Sequence, residues 1–205
     1  MLAVDEKGNV VDGDQVMAIC GLYMKNKGTL KKNTITATVM SNLGFFQMGE
    51  RENINIEQTK VGDRYVLERM LKEGYNLGGE QSGHIIFLDE ANTGDGQLSG
   101  AKVLEILAES GKRMSELANV MEHFPQVMIN VKIGPSDREV WKNDDEITGI
   151  IEKYEDELGE SGRILVRESG TEPLIRVMIE GRDFRKINEY AMAIADKIKE
   201  RAGRR

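Results

Sequence analysis

The stretch RILVRESGTEPLIRVMIE (residues 163–180) decides how the second half of the chain is read. Its two flanks, RILVR and LIRVMIE, are rich in β-branched and aliphatic residues, and between them lies a cluster of small polar residues with Gly170 and Pro173. That pattern predicts two strands joined by a tight connection. The connection has two readings. In the first it is a plain hairpin, with Gly170 supplying a permissive φ and Pro173 stiffening the exit. In the second it holds an anion. Arg167 and Arg176 bracket it, Ser169 and Thr171 offer hydroxyls, and Gly170 admits backbone N–H groups close to a ligand. Glu168 and Glu172 oppose the second reading unless they turn outward or neutralise the arginines.

Outward from this hairpin the pattern is β-α-β-β-α. Residues 126–133 read as a strand. A helix near 145–158 presents Ile147, Ile150, Ile151, Tyr154 and Leu158, and a last helix shows Phe184, Ile187, Ala191, Ile194 and Ile198 on one face. About 75 residues of this kind close as a small α+β unit, with helices on one side of a sheet. Pro125, inside EHFPQV (122–127), marks the boundary with what precedes.

The first part alternates strands and helices and reads as an α/β domain with a mixed sheet. Short strands at 2–4 and 9–11 flank a turn. Asp12 or Asp14 caps a helix running to about Lys27, with Val16, Ile19, Cys20 and Tyr23 inward. TITATVM (34–40) is a buried strand. Helices are expected near 44–52, at 63–73 with Val66, Leu67, Met70 and Leu71 inward, over 97–110, and near 115–123. The loop GGEQSGH (78–84) is the second candidate site. Glu80 can accept hydrogen bonds from vicinal hydroxyls, Ser82 can donate or accept one, Gly78, Gly79 and Gly83 keep the approach open, and His84 can exchange a proton near neutral pH. Against these stand a solvated turn carboxylate and an ordinary strand-end histidine. In TKVGDR (59–64), Lys60 is free to meet a phosphoryl group, and Asp63 reads best as a helix cap. DGD (12–14) lacks the recurring ligand positions of a calcium loop and reads as a strand-end turn. His123, Trp141 and the methionines read as structural, and two histidines with one cysteine do not make a zinc site.

With 205 residues, 40% of them apolar and 31% charged, the chain has the make-up of a soluble globular protein. A formal charge of −7 argues against a general nucleic-acid surface. The single cysteine, Cys20, excludes an internal disulfide and fits a reducing compartment. No apolar run approaches the roughly 20 residues of a membrane span. The expectation is a cytoplasmic protein with neither membrane nor nucleic-acid partners.

GGEQSGH, NTGDG (92–96) and RESGTEPLIRV (167–177), in that order and spacing, resemble the α-D-phosphohexomutase superfamily. Gln81 together with TKVGDRYV is most similar to its phosphoglucosamine mutase branch. The likeness covers nearly all of this chain but only about the second half of such an enzyme. It implies residues 1–30 as the end of a metal-binding second domain, 31–124 as a sugar-binding third domain, and 125–205 as a phosphate-binding fourth domain of TATA-binding-protein-like fold. It implies interconversion of glucosamine 6-phosphate and 1-phosphate through an active-site phosphoserine and glucosamine 1,6-bisphosphate. By the same resemblance, Glu80 and Ser82 grip the sugar, His84 moves a proton, Lys60 lies near the phosphoryl group, and Arg167, Ser169, Gly170, Thr171 and Arg176 clamp the non-reacting phosphate. Magnesium would be held by the serine and a DGDxDR loop. Neither loop is in these residues, since Val16 stands where the motif needs aspartate, so no metal ligand is expected here. The abrupt start reads as a cut from something longer, inactive alone, whose partners are a phosphosugar and the preceding domains. Strand edges left exposed would also allow a homodimer. The alternatives are a phosphomannomutase or phosphoglucomutase of the same superfamily, a non-catalytic phosphosugar-binding module, or an interaction protein with tight turns.

Overall fold

A computed structural model describes residues 1–134, 140–169 and 172–202. The chain divides into two compact units, Met1–His123 and Phe124–Arg205.

In the first unit, β1 (Ala3–Val4) and β2 (Val10–Val11) form a two-stranded hairpin whose outward side carries Leu2, Val4 and Val10, all well exposed. Helix α1 (Gly13–Asn26) follows. The Asp12 carboxylate caps it by accepting from the Gln15 N–H, and the Gln15 side chain accepts in turn from the Asp12 N–H at 3.2 Å, which closes a capping box. The DGD segment is therefore used for folding. Asp14 is fully buried and accepts from the Asn42 N–H at 2.7 Å.

Four strands make the central sheet in the order β4 (Asn55–Thr59), β3 (Thr34–Thr38), β5 (Leu77–Gly79), β6 (Ile85–Phe87). β3 runs parallel to both neighbours and β6 antiparallel to β5. Every residue of β3 is buried, as a central strand covered on both faces requires. Side-chain alternation divides the core. Ile35, Ala37, Ile85 and Phe87 face a layer built from α1, α2 (Leu43–Arg51) and α4 (Gly96–Ser110), while Ile86 packs with Val66 and Met70 of α3 (Asp63–Glu73). Val16, Met17, Ile19 and Cys20 of α1 belong to the first of these layers, and no break in packing falls near residue 30.

Several local expectations change. The helix expected near 115–123 is a single turn and a half, α5 (Met114–Ala118). Leu71 is 60% exposed, because α3 needs only Val66 and Met70, with Leu67 at the margin, to cover its side of the sheet. Asp63 is the first residue inside α3 and not its cap. The cap position belongs to Gly62, whose φ of +128° suits only glycine.

The second unit is a three-stranded antiparallel sheet, β7 (Gln126–Lys132), β9 (Leu174–Gly181) and β8 (Gly162–Glu168), with β9 in the middle. Between β7 and β8 lie the short α6 (Val140–Asn143) and α7 (Asp145–Leu158); α8 (Phe184–Ala202) closes the chain. Ile175, Val177 and Ile179 point to the helices and are fully buried with Ile147, Ile187, Ala191, Ile194 and Ile198. The Tyr154 and Tyr190 rings stack at 3.9 Å between α7 and α8. Phe184, expected inward, is 56% exposed at the start of α8, one turn before the buried stripe begins at Ile187. Each fully buried isoleucine contributes roughly 1.5–3 kcal/mol of apolar burial, so this stripe carries most of the unit's cohesion.

One pH effect follows from the α1 cap. Burial pushes the Asp12 carboxyl up, but a hydrogen bond with His123, whose Nε2 lies 3.4 Å from Oδ2, and the Gln15 N–H outweigh it, so Asp12 sits below its ordinary 3.8. A carboxyl held low in the folded state stabilises above its unfolded value and loses that contribution as pH falls through the folded value. Asp12→Asn is expected to flatten the acid limb of a thermal-denaturation series taken from about pH 5 downward. An unchanged acid limb would show that the cap is not charge-dependent.

Candidate functional site

The turn between β5 and β6 is closed by two backbone bonds, Glu80 N–H to His84 O and Gly83 N–H to Glu80 O, both 2.9 Å. Its glycines are there for packing more than for ligand approach. A Cβ at Gly78 would stand 2.7 Å from the Thr36 carbonyl, and one at Gly79 would stand 2.3 Å from the His84 carbonyl. Gly83 has φ +91°. The start of α1 seats underneath, with the Gly13 N–H donating to Gln81 O at 3.0 Å.

Lys60 follows β4 and is exposed at the C-terminal end of the parallel strands, where open α/β sheets ordinarily bind ligands. It lines a groove of about 530 Å³ with Thr59, Tyr65, Arg69 and Lys72. The loop that carries Lys60 meets the 78–84 turn at two points. The Gly62 N–H donates to Glu80 Oε1 at 3.0 Å, and Asp63 Oδ2 lies 3.4 Å from His84 Nε2. Glu80 is half-buried, while Ser82 and His84 are exposed. Tertiary structure thus brings TKVGDR against GGEQSGH, a pairing that spacing along the chain does not reveal. Asp63, expected as a helix cap, instead comes to lie beside His84. Its position beside a glycine and ahead of an apolar helix carries the signature of a cap, and nothing local separates the two roles.

A second cavity, about 400 Å³ and lined by Tyr23, Lys27, Phe87, Lys102 and Glu105 among others, opens at the opposite end of the same sheet. It contains none of the motif residues. Cys20 reaches its wall, but burial pushes the thiol up to about 12, so it is an inert packing group.

In the second unit, Arg167 of β8 and Arg176 of β9 are directly opposed across the ladder. Burial, and then the charge of Arg176, hold the Arg167 guanidinium below its ordinary value. Arg176 Nε is buried and has no hydrogen-bond partner, although its terminal nitrogen lies 3.7 Å from Glu172. Ser169 is buried, donates its N–H to Leu174 O at 2.9 Å and accepts from the Glu172 N–H at 3.3 Å. The two glutamates that argued against an anion are accounted for. Glu168 pairs with Lys142 of α6 at 2.8 Å, and Glu172 is 60% exposed. Gly170 and Thr171 lie outside the described residues. Like charges directly opposite on a sheet repel, and the Glu172 carboxylate 3.7 Å from Arg176 offsets part of that charge.

Among the described residues no three His, Cys, Asp or Glu side chains converge as a metal site would require. Among them, too, no helix is long and apolar enough to cross a membrane.

Residues 12–124 match the family model of phosphoglucomutase/phosphomannomutase alpha/beta/alpha domain III, and residues 128–197 match that of the phosphoglucomutase/phosphomannomutase C-terminal domain. The chain is 54% identical over 198 residues to a phosphoglucosamine mutase of Caldanaerobacter subterraneus, covering 97% of this chain and 44% of the relative. It is 54% identical over 203 residues to a phosphoglucosamine mutase of Acetivibrio thermocellus, covering 99% and 45%. It therefore spans less than half the length of these curated relatives. Among solved structures, an Aspergillus fumigatus N-acetylphosphoglucosamine mutase superposes with a TM-score of 0.77 at 18% identity, covering 98% of this chain and 46% of that one. A phosphoglucomutase/phosphomannomutase family protein of Burkholderia thailandensis gives 0.76 at 20%, covering 99% and 44%. The chain belongs to the phosphoglucomutase/phosphomannomutase family and carries its domain III and its C-terminal domain.

Proposed function

We propose that this chain supplies the sugar-binding and phosphate-binding parts of a phosphoglucosamine mutase, the enzyme that interconverts glucosamine 6-phosphate and glucosamine 1-phosphate. The relatives at 54% identity bear that name, and an A. fumigatus relative of the fold was crystallised with GlcNAc-6P and magnesium. The observation that carries the reading is the opposed Arg167–Arg176 pair with its unpartnered buried Nε.

In this reading the second unit holds the phosphate that is not reacting. Arginine forks match its oxygens, with Ser169, Gly170 and Thr171 as the further donors to it. Fixing one end of the substrate presents the other for transfer, which is catalysis by positioning. In the first unit, Glu80 keeps one carboxylate oxygen on the Gly62 N–H and offers the other to sugar hydroxyls, alongside Ser82. His84 moves a proton, and Lys60 offsets charge on the transferring phosphoryl group. In this reading the magnesium ion is held by the serine and the metal loop of the preceding domains. The phosphoserine and the 1,6-bisphosphate intermediate likewise belong to chemistry outside these residues.

The test is a titration of the isotopically labelled 205-residue chain with glucosamine 6-phosphate, followed by NMR. The Arg176 Nε–H signal and the Ser169 amide are expected to move, because the orphan donor gains an acceptor. Silence at both, at millimolar ligand, would overturn the phosphate reading. Glucose 6-phosphate and mannose 6-phosphate in parallel separate the glucosamine enzyme from its phosphoglucomutase and phosphomannomutase counterparts.

A further inference from the structure

The ring of His84 is flanked by two residues from different parts of the fold. Asp63 stands 3.4 Å from Nε2 with its Oδ2, while its Oδ1 accepts the Arg64 N–H at 2.8 Å. The carboxylate is therefore divided, one oxygen tied to its own helix and the other turned to the imidazole. The backbone that carries it is anchored as well, since the neighbouring Gly62 N–H is bonded to Glu80 in the turn that bears His84. The second residue is Gly94, at the centre of NTGDG. A Cβ there would come within 2.2 Å of both Cδ2 and Nε2 of the ring. The next residue, Asp95, caps α4 by accepting from the Gln97 and Leu98 N–H groups at 2.8 and 3.0 Å, which pins the turn.

A carboxylate oxygen facing one ring nitrogen of a neutral imidazole favours the proton on that nitrogen and leaves the other as an acceptor. We infer that Asp63 is a positioning residue for His84: it holds the neutral ring as the Nε2–H tautomer, with Gly94 setting the ring's place, so that Nδ1 is the atom that takes up and gives back a proton. The inference rests on the proposed role of His84. It assigns a purpose to the NTGDG turn and to Asp63, neither of which touches substrate in the proposed scheme. Both partners of the pair are more than 40% exposed, so the contact acts on orientation and adds little to stability.

The ring nitrogens of His84 report this directly. The chain has two histidines, so a long-range ¹H–¹⁵N spectrum assigned with His84→Gln resolves each ring. In the wild-type chain, at a pH where the ring is neutral, Nε2 is expected at the protonated shift and Nδ1 at the bare one. Asp63→Ala should draw the two shifts together as tautomers mix. Asp63→Asn should restore the wild-type pattern, because its amide oxygen still accepts. Gly94→Ala should displace the ring and mix the tautomers as well. A wild-type ring protonated on Nδ1, or an Asp63→Ala spectrum identical to wild type, overturns the inference. The wild-type measurement needs no variant, so a variant that fails to fold leaves the test intact. A fixed Nε2–H tautomer whose signals ignore glucosamine 6-phosphate would instead count against the proton-transfer role of His84 and leave the positioning by Asp63 standing.

Discussion

Replacing Arg167 and Arg176 together by alanine is expected to lower affinity for glucosamine 6-phosphate by roughly two to four orders of magnitude, read by calorimetric titration. Each charge-assisted bond of this kind is worth about 1.5–3 kcal/mol, and a factor of ten corresponds to about 1.4 kcal/mol. The same substitution is expected to leave the fold intact or make it slightly more stable. The two guanidiniums face each other across β8 and β9, and Arg167 is partly desolvated beside its neighbour's charge. Removing both relieves a like-charge repulsion of about 0.2–1 kcal/mol. Opposite signs for binding and stability are what separate a ligand clamp from a structural pair. Arg167→Lys should fall between, since an ammonium keeps the charge but not the two-pronged fork. A double variant that binds as well as wild type would end the phosphate assignment, and one that is markedly less stable would mean the pair is structural.

The second large effect is expected at Gly13. A Cβ there would lie 2.2 Å from the Glu80 carbonyl, 2.6 Å from the Gly83 nitrogen and 2.8 Å from the Gln81 carbonyl. All three are backbone atoms of the site turn, so no side chain can swing aside. Either α1 or the turn must move. Gly13→Ala is expected to cost about 1–3 kcal/mol, as overpacking does, and to shift the amides of residues 80–83. Gly149→Ala is the matched control. Gly149 lies inside α7 with open space around its Cβ position, and alanine there should stabilise by roughly 0.5–1 kcal/mol. Chemical denaturation of the two variants measures both. Equal behaviour would show that the α1–turn contact gives way freely.

Much of this architecture was legible because local chemistry and global fold agree. LIRVMIE read as an aliphatic strand, and the structure makes it the central strand, with Ile175, Val177 and Ile179 buried under helices. TITAT had the composition of a strand covered on both sides and is one. Misreadings came where a local signal admits two outcomes. Phe184 kept helical spacing with the buried stripe, but it lies one turn before Ile187 and is 56% exposed. Asp63 sat where a cap belongs, but Gly62 took the cap because it alone tolerates φ +128°. The glycines of GGEQSGH looked like room for a ligand, but at Gly78 and Gly79 the space is filled by carbonyls of neighbouring chain.

By itself the sequence determined which residues are apolar at period two or near 3.6, where the chain turns, and which short motifs carry arginine, glutamate, serine and histidine. Those properties are local, written in side-chain types a few positions apart. Only the tertiary structure decided which of those motifs meet. It set Arg167 against Arg176 through strand register, laid the Lys60 loop on the Glu80 turn, and turned Asp63 and Gly94 to the ring of His84. Contacts between residues 9 to 21 positions apart follow from how strands pair and helices pack, and packing satisfies many residues at once, which no single stretch of chain encodes.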